Sequence, residues 1–172
     1  MKKRKSLISI ITVNYNNASV TAGLLESIQF CSYENIEVIV IDNGSSDDSV
    51  GSLEDSFPFI KLVMSENNLG FAGGNNLGLE HAKGDYVFFV NNDTVLTPNL
   101  ISLLYSELES DNNIGVISPK ILFHDNPNVI QYVGSTKMNK VTVRNMHVGN
   151  GVLDNGQFDY AKTTFYAHGA AM

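Results

Sequence analysis

The sequence predicts an α/β fold: a mostly parallel sheet flanked by helices, followed by a β-rich C-terminal part. Three observations predict it. Short β-rich apolar runs at 7–13, 36–41, 60–64 and 86–90 alternate with segments of helical period. These runs lack polar alternation, the habit of strands covered on both faces. After Pro119 the helical period disappears, and Asn, Gly, Val and Thr dominate residues 126–156.

Between the first two runs, Val20, Leu24, Leu25 and Ile28 recur at helical spacing. The third run leads into a glycine-rich stretch, 70–78, that enters a helix ending near Ala82. Each Gly inside a helix costs up to ~1 kcal/mol relative to Ala, so several together imply close approach of the backbone to a ligand or to the sheet. After the fourth run, Thr97 is placed to cap a helix with Pro98 in its first turn. Its apolar stripe is Leu100, Ile101, Leu104, Tyr105 and Leu108. Further on, Asp154-Asn155-Gly156 signals a turn. The organisation expected is a disordered basic leader over 1–6 and a single domain over 7–172. Residues 7–96 form its first half and 97–172 the start of its second.

A chain of 172 residues, 43% apolar and 17% charged, suits one globular α/β domain. Its net charge is −7, and four of its 11 basic residues are Lys2, Lys3, Arg4 and Lys5. The rest carries 7 basic against 18 acidic residues, a balance that repels phosphate backbones and excludes nucleic acid as partner. The basic start reads either as a solvated leader or as a weak contact with an anionic membrane surface. No run approaches the ~18 apolar residues of a spanning helix, and no apolar segment follows the basic residues as a signal peptide requires. Cys31 is the one cysteine, so no internal disulfide forms and a reducing, cytoplasmic setting is the default.

Polar residues gather where each strand ends. Asn14-Tyr15-Asn16-Asn17 follows the first strand, and Asp42-Asn43-Gly44-Ser45-Ser46-Asp47 closes the second. Asn67-Asn68-Leu69-Gly70 follows the third, and Asn91-Asn92-Asp93 the fourth. In a parallel sheet all four emerge at the carboxyl edge, where open α/β sheets bind ligands. Tyr15 offers a ring face to a base. Asp42 has two readings, an acceptor for a base N–H or sugar hydroxyl, or a turn cap. Asp47 and Asp48 read as first-turn residues favoured by the helix dipole. Asp93 with nearby carbonyl oxygens suits Mg²⁺ or Mn²⁺, the alternative being an Asx turn. The glycine spacing is not G-x-G-x-x-G and no Walker A motif occurs. His168 reads as structural more readily than as a site residue.

Four motifs in this order resemble glycosyltransferase family 2. They are Val-Asn-Tyr-Asn at 13–16, Ile-Asp-Asn-Gly-Ser-Ser-Asp at 41–47, Asn-x-x-Gly-Phe-Ala-Gly-Gly-Asn-Asn at 67–76, and the aromatic strand ending in Asn-Asn-Asp-Thr at 91–94. The branch resembled is that of bacterial rhamnosyltransferase-like enzymes of cell-surface polysaccharide assembly, which Gln157-Phe158-Asp159-Tyr160 and Gly169-Ala170-Ala171-Met172 also resemble. The resemblance implies a GT-A, Rossmann-like fold and inverting transfer from a UDP- or dTDP-linked sugar to a glycan or lipid-linked acceptor. It implies Mn²⁺ or Mg²⁺ at Asp93, although Asn91 stands where the first Asp of the D-x-D motif usually sits. A nucleotide-sugar site is expected from Val13, Asn14, Tyr15, Asn16, Asp42, Gly44, Asn68, Gly70, Gly74, Asn75, Asn91 and Asn92. The family places its general base in an acidic motif downstream of Gly-Ala-Ala-Met, hence beyond Met172. Within the chain only Asp154 and Asp159 are late carboxylates to set against it. The setting implied is cytoplasmic, with peripheral contact at the inner membrane face. The rivals are a nucleotidyltransferase-like enzyme and a non-catalytic nucleotide-sugar-binding module.

Overall fold

A computed structural model describes residues 5–47 and 49–172, so most of the basic leader and Asp48 lie outside the described residues. The chain divides into two compact units, Met1–Ser102 and Leu103–Met172.

The first unit is built on four parallel strands: β1 (Ile8–Asn14), β2 (Ile36–Asp42), β3 (Ile60–Met64) and β4 (Tyr86–Phe89), in the order β3-β2-β1-β4. Crossovers run through α1 (Ala18–Gln29), α2 (Gly51–Ser56) and α3 (Gly70–His81). The predicted parallel α/β arrangement is present. Ile10, Ile11, Ile39 and Ile41 are wholly buried at the sheet centre, each contributing roughly 1.5–3 kcal/mol of burial. Register aligns Asn14 with Asp42, and Asp42 with Met64, so the strands finish level and their loops start from one edge.

Three expectations need correction. β3 is an edge strand, half-buried along its length, and Met64 is 61% exposed, so burial on both faces holds for β1 and β2 but not here. On α1 the buried stripe is Ala18, Thr21, Leu24, Leu25 and Ile28, while Val20 turns outward. A threonine is tolerated there because its hydroxyl has partners, described below. The helix after Thr97 is α4 (Leu100–Leu108); the Leu100 amide donates to the Thr97 carbonyl, so Pro98 lies in the entering turn.

The glycines of α3 answer to the sheet. A Cβ on Gly78 would overlap the Ile11 side chain, and one on Gly74 would sit 2.9 Å from Val13 Cγ1. Only a bare backbone lets this helix lie so close to β1.

The second unit contains the antiparallel pair β5 (Ile121–Phe123) and β6 (Asn126–Tyr132), the β-rich character expected after Pro119. Lys120 Nζ pairs with Asp154 Oδ2 at 2.6 Å and Asp159 Oδ1 at 2.5 Å. The Tyr132 ring packs on His168 and His147, with centroids 4.6 and 5.4 Å away. Gly156 adopts φ 79°, as the Asp-Asn-Gly turn requires. Among the described residues, no helix is long and apolar enough to cross a membrane.

Candidate functional site

At the carboxyl edge of the parallel sheet the four loops are tied together mainly by side-chain amides and hydroxyls. Asn16 and Asn17 both take positive φ (55° and 51°), a conformation Asn accepts more readily than most residues. This folds the chain back so that the Asn16 amide donates to Ser45 Oγ (2.7 Å) and the Ser46 amide donates to Asn16 Oδ1 (2.9 Å). Asp47 does not lie in the first turn of α2. Its carboxylate instead accepts from the Asn17 amide at 2.6 Å, at the start of α1, and this backbone bond holds its pKa below the usual carboxylate value.

Beneath these loops runs a buried relay. Asn92 Nδ2 donates to Thr21 Oγ1 (3.0 Å), and Thr21 donates to Asn14 Oδ1 (2.7 Å). Asn14 Nδ2 then donates to Asp42 Oδ1 (3.1 Å), which also accepts from Ser45 Oγ; Asp42 Oδ2 accepts from the Ser45 amide (3.2 Å). Asn14 is 0% and Asp42 1% exposed, so both form a polar floor under the site. Buried groups of this kind persist because each has partners.

Asn43 joins the second loop to the third. Its Nδ2 donates to Asn68 Oδ1 (3.0 Å) and the Gly70 carbonyl (3.3 Å), while its Oδ1 accepts from the Leu69 amide (2.9 Å). Gly44, at φ 75°, lets the second loop pass beside the third: a Cβ there would meet the Asn67 carbonyl carbon at 2.7 Å.

Above this floor opens a pocket of about 330 Å³, within the range of small-ligand sites. Of the residues expected from sequence, Val13, Tyr15, Asn68, Gly70, Asn91, Asn92 and Asp93 line it. Asn14, Asn16, Asp42, Gly44, Gly74 and Asn75 are not in its lining. They support it from below or beside, and Asn75 bonds back to the Phe71 carbonyl at 2.9 Å. Two lining residues, Asn43 and Phe71, carried no individual role in the sequence reading. Phe71 could have been singled out as a large aromatic inside a polar, glycine-rich run. Tyr15 and Phe71 are both about half exposed, at 51% and 54%.

The electrostatics are lopsided. Asp93 is the one charged residue in the lining, and it is exposed. Against it stands the N-terminal end of α3, with Gly70 and Phe71 on the wall, the positive end of a twelve-residue helix. Asn91 Oδ1 is buried with no hydrogen-bond partner among the described residues. No group of three or more His, Cys, Asp or Glu side chains able to hold a metal occurs among the described residues. One carboxylate and one unpartnered amide oxygen therefore fit an ion shared with a ligand's phosphates rather than caged by protein.

A parallel sheet flanked by helices, with its polar loops at one edge, is an arrangement that GT-A glycosyltransferases share with other nucleotide-binding α/β proteins. The mannosyltransferase PcManGT from Pyrobaculum calidifontis, solved with GDP-Man and Mn²⁺, superposes with TM-score 0.63 at 23% identity, covering 69% of this chain and 36% of that one. S. aureus TarS with UDP-GlcNAc gives TM-score 0.55 at 22% identity, covering 69% and 41%. The family model for glycosyl transferase family 2 matches residues 9–167, and the chain belongs to that family. Glycosyltransferase GlyG of Streptococcus pneumoniae is 34% identical over 107 residues, 60% of this chain and 35% of GlyG. The Escherichia coli enzyme WfgD, a UDP-Glc:α-D-GlcNAc-diphosphoundecaprenol β-1,3-glucosyltransferase, is 31% identical over 124 residues, 64% of this chain and 49% of WfgD. The chain thus spans between about a third and a half of the length of these curated relatives.

Proposed function

We propose that this chain binds a nucleotide-diphosphate sugar, UDP- or dTDP-linked, across the loops after β1, β2 and β3, with its diphosphate over Asp93. In this reading the whole protein transfers the sugar with inversion to a glycan or lipid-linked acceptor, as a rhamnosyltransferase-like enzyme of cell-surface polysaccharide assembly. The observation that carries it is the pocket where two half-exposed aromatic rings, Tyr15 and Phe71, meet asparagine amides, a helix N-terminus and Asp93. Aromatic faces suit a base, amides suit sugar hydroxyls, and the helix end suits a diphosphate.

An uncompensated carboxylate beside a diphosphate would repel it, which supports a divalent ion between Asp93 and the phosphates. Asn91 Oδ1 and the Asp93 carboxylate would hold Mn²⁺ or Mg²⁺, which supplies charge neutralisation for the departing diphosphate. On the acceptor side the general base comes from beyond Met172 in this reading. In support, the hydrogen bond from Lys120 holds the Asp154 pKa below the usual carboxylate value, which weakens Asp154 as a proton acceptor. The reading places the protein in the cytoplasm at the inner membrane face, and WfgD, with its diphosphoundecaprenol-linked acceptor, offers a parallel.

The test is a thermal-shift panel of UDP-, dTDP- and GDP-sugars with and without Mn²⁺. A rise in melting temperature with UDP or dTDP donors that grows with Mn²⁺ is expected. A flat response to every nucleotide sugar would overturn the reading, and a response to GDP donors alone would overturn the nucleotide assignment.

A further inference from the structure

Residues 126–153 contain Lys137, Lys140 and Arg144 and no acidic residue, in a chain with 18 Asp and Glu and a net charge of −7. All three cations are exposed, and they sit on one arm of the second unit. Its two sides are held by the Ser135↔His147 bridge and by the Thr136 amide donating to the Met146 carbonyl (3.0 Å). The tip is closed by Asn139. Its Oδ1 accepts from the Val141 and Thr142 amides (2.9 and 3.0 Å), and its carbonyl accepts from the Val143 amide (2.8 Å).

This ordered tip carries apolar side chains outward. Val141 is 91% exposed, Met146 69%, Val143 68% and Met138 38%. Val143 also holds φ 53°, a conformation that is costly for a β-branched residue and that Asn or Gly would adopt more cheaply. The turn sets this backbone, since the Val143 amide donates to the Asn139 carbonyl and the Asn139 amide to the Arg144 carbonyl (2.8 Å each), but it does not require a valine there, and the side chain stays exposed. Apolar residues alternating with cations on a protruding tip suit an interface with apolar depth and anionic surface.

We propose that the 136–146 arm docks on an anionic phospholipid bilayer, with Lys137, Lys140 and Arg144 at the headgroups and Val141, Val143 and Met146 among the upper acyl carbons. The charge pattern selects this occupant: the arm is a cationic stretch, free of acidic residues, in a chain of net charge −7, and anionic lipid is its complement. Lys2, Lys3, Arg4 and Lys5 are a separate basic cluster that the experiment must separate.

The experiment uses the full chain with vesicles of phosphatidylcholine alone or mixed with phosphatidylglycerol. Binding to the mixed vesicles only is expected. It should weaken roughly fivefold for each arm cation changed to Gln, and about a hundredfold for all three. The chain has no Trp, so Val141→Trp places a single reporter at the tip; its emission should shift to the blue on mixed vesicles. That shift should persist when Lys2, Lys3, Arg4 and Lys5 are changed to Gln. Val143→Asn should raise the melting temperature yet lower vesicle binding, which a purely structural role would not do. The proposal is overturned by absence of vesicle binding, by a triple Gln variant that binds like the parent, or by a bound Val141→Trp protein with unshifted emission. A blue shift that grows with protein concentration without vesicles would identify self-association instead and overturn it too.

Discussion

Asp42 and Asp93 are both carboxylates at strand ends, yet their surroundings differ. Asp42 is buried and accepts hydrogen bonds from Asn14 and Ser45, whereas Asp93 is exposed on the pocket wall. Asp42→Ala should therefore cost about 1–3 kcal/mol of stability, because it leaves buried donors unpaired. Asp93→Ala should leave the melting temperature unchanged and abolish the tightening of nucleotide-diphosphate binding by Mn²⁺. Titration calorimetry with and without the ion checks the second, and undiminished metal enhancement would remove Asp93 from the site. Sequence spacing placed both residues at the right edge. It could not tell which points down into the sheet, because that depends on Asn14 and Ser45 being in register to receive one of them.

Among the elements, α3 shows how far a sequence argument reaches. Several glycines in one helix implied close approach to something, and for Gly74 and Gly78 the sheet is that partner. Gly78→Ala should destabilise the protein by roughly 1–3 kcal/mol through overlap with Ile11, outweighing its better helix propensity. Gly23→Ala in α1 meets nothing within 4 Å and should stabilise it by about 0.5–1 kcal/mol. Chemical denaturation of the two variants gives opposite signs if this packing is right. The strands were legible because unbroken apolar runs have few other uses. The outward turn of Val20 was not, since Val has no reason to yield the inner face to Thr21 until Asn14 and Asn92 are placed on either side of that hydroxyl.

For the whole molecule, pH acts through a few groups of known sign. Burial, and then the charge of His147, lowers the His168 pKa, so the unfolded chain takes up this proton first. Stability contributed there is full above the unfolded His value of about 6.5 and is lost as pH falls through the lower folded value. Asp47 and Asp154 are depressed by hydrogen bonds, and their contributions go in the same direction at more acid pH, below about 4. Lys120 acts oppositely. Despite desolvation, its bonds to Asp154 and Asp159 raise its pKa, so its contribution is present below about 10.5 and lost as pH rises through the folded value. A melting-temperature profile should decline in two stages on the acid side, and His168→Gln should remove the first. A single acid step unaffected by His168→Gln would show that the imidazole is not linked to stability.

The relay from Asn92 through Thr21 and Asn14 to Asp42 has a thermodynamic consequence for recognition. Loops wired together before a ligand arrives have already given up their conformational freedom during folding, so little entropy remains to be lost on binding. Thr21 is wholly buried and absent from the pocket lining, yet Thr21→Val should weaken nucleotide affinity by loosening the Asn92 loop. The signature would be a less favourable binding entropy, together with faster amide hydrogen exchange at 91–94 in the free protein that slows only when nucleotide is bound. In the parent, those amides should exchange slowly with the site empty, since the rigidity that other sites acquire from their ligands is here a property of the fold.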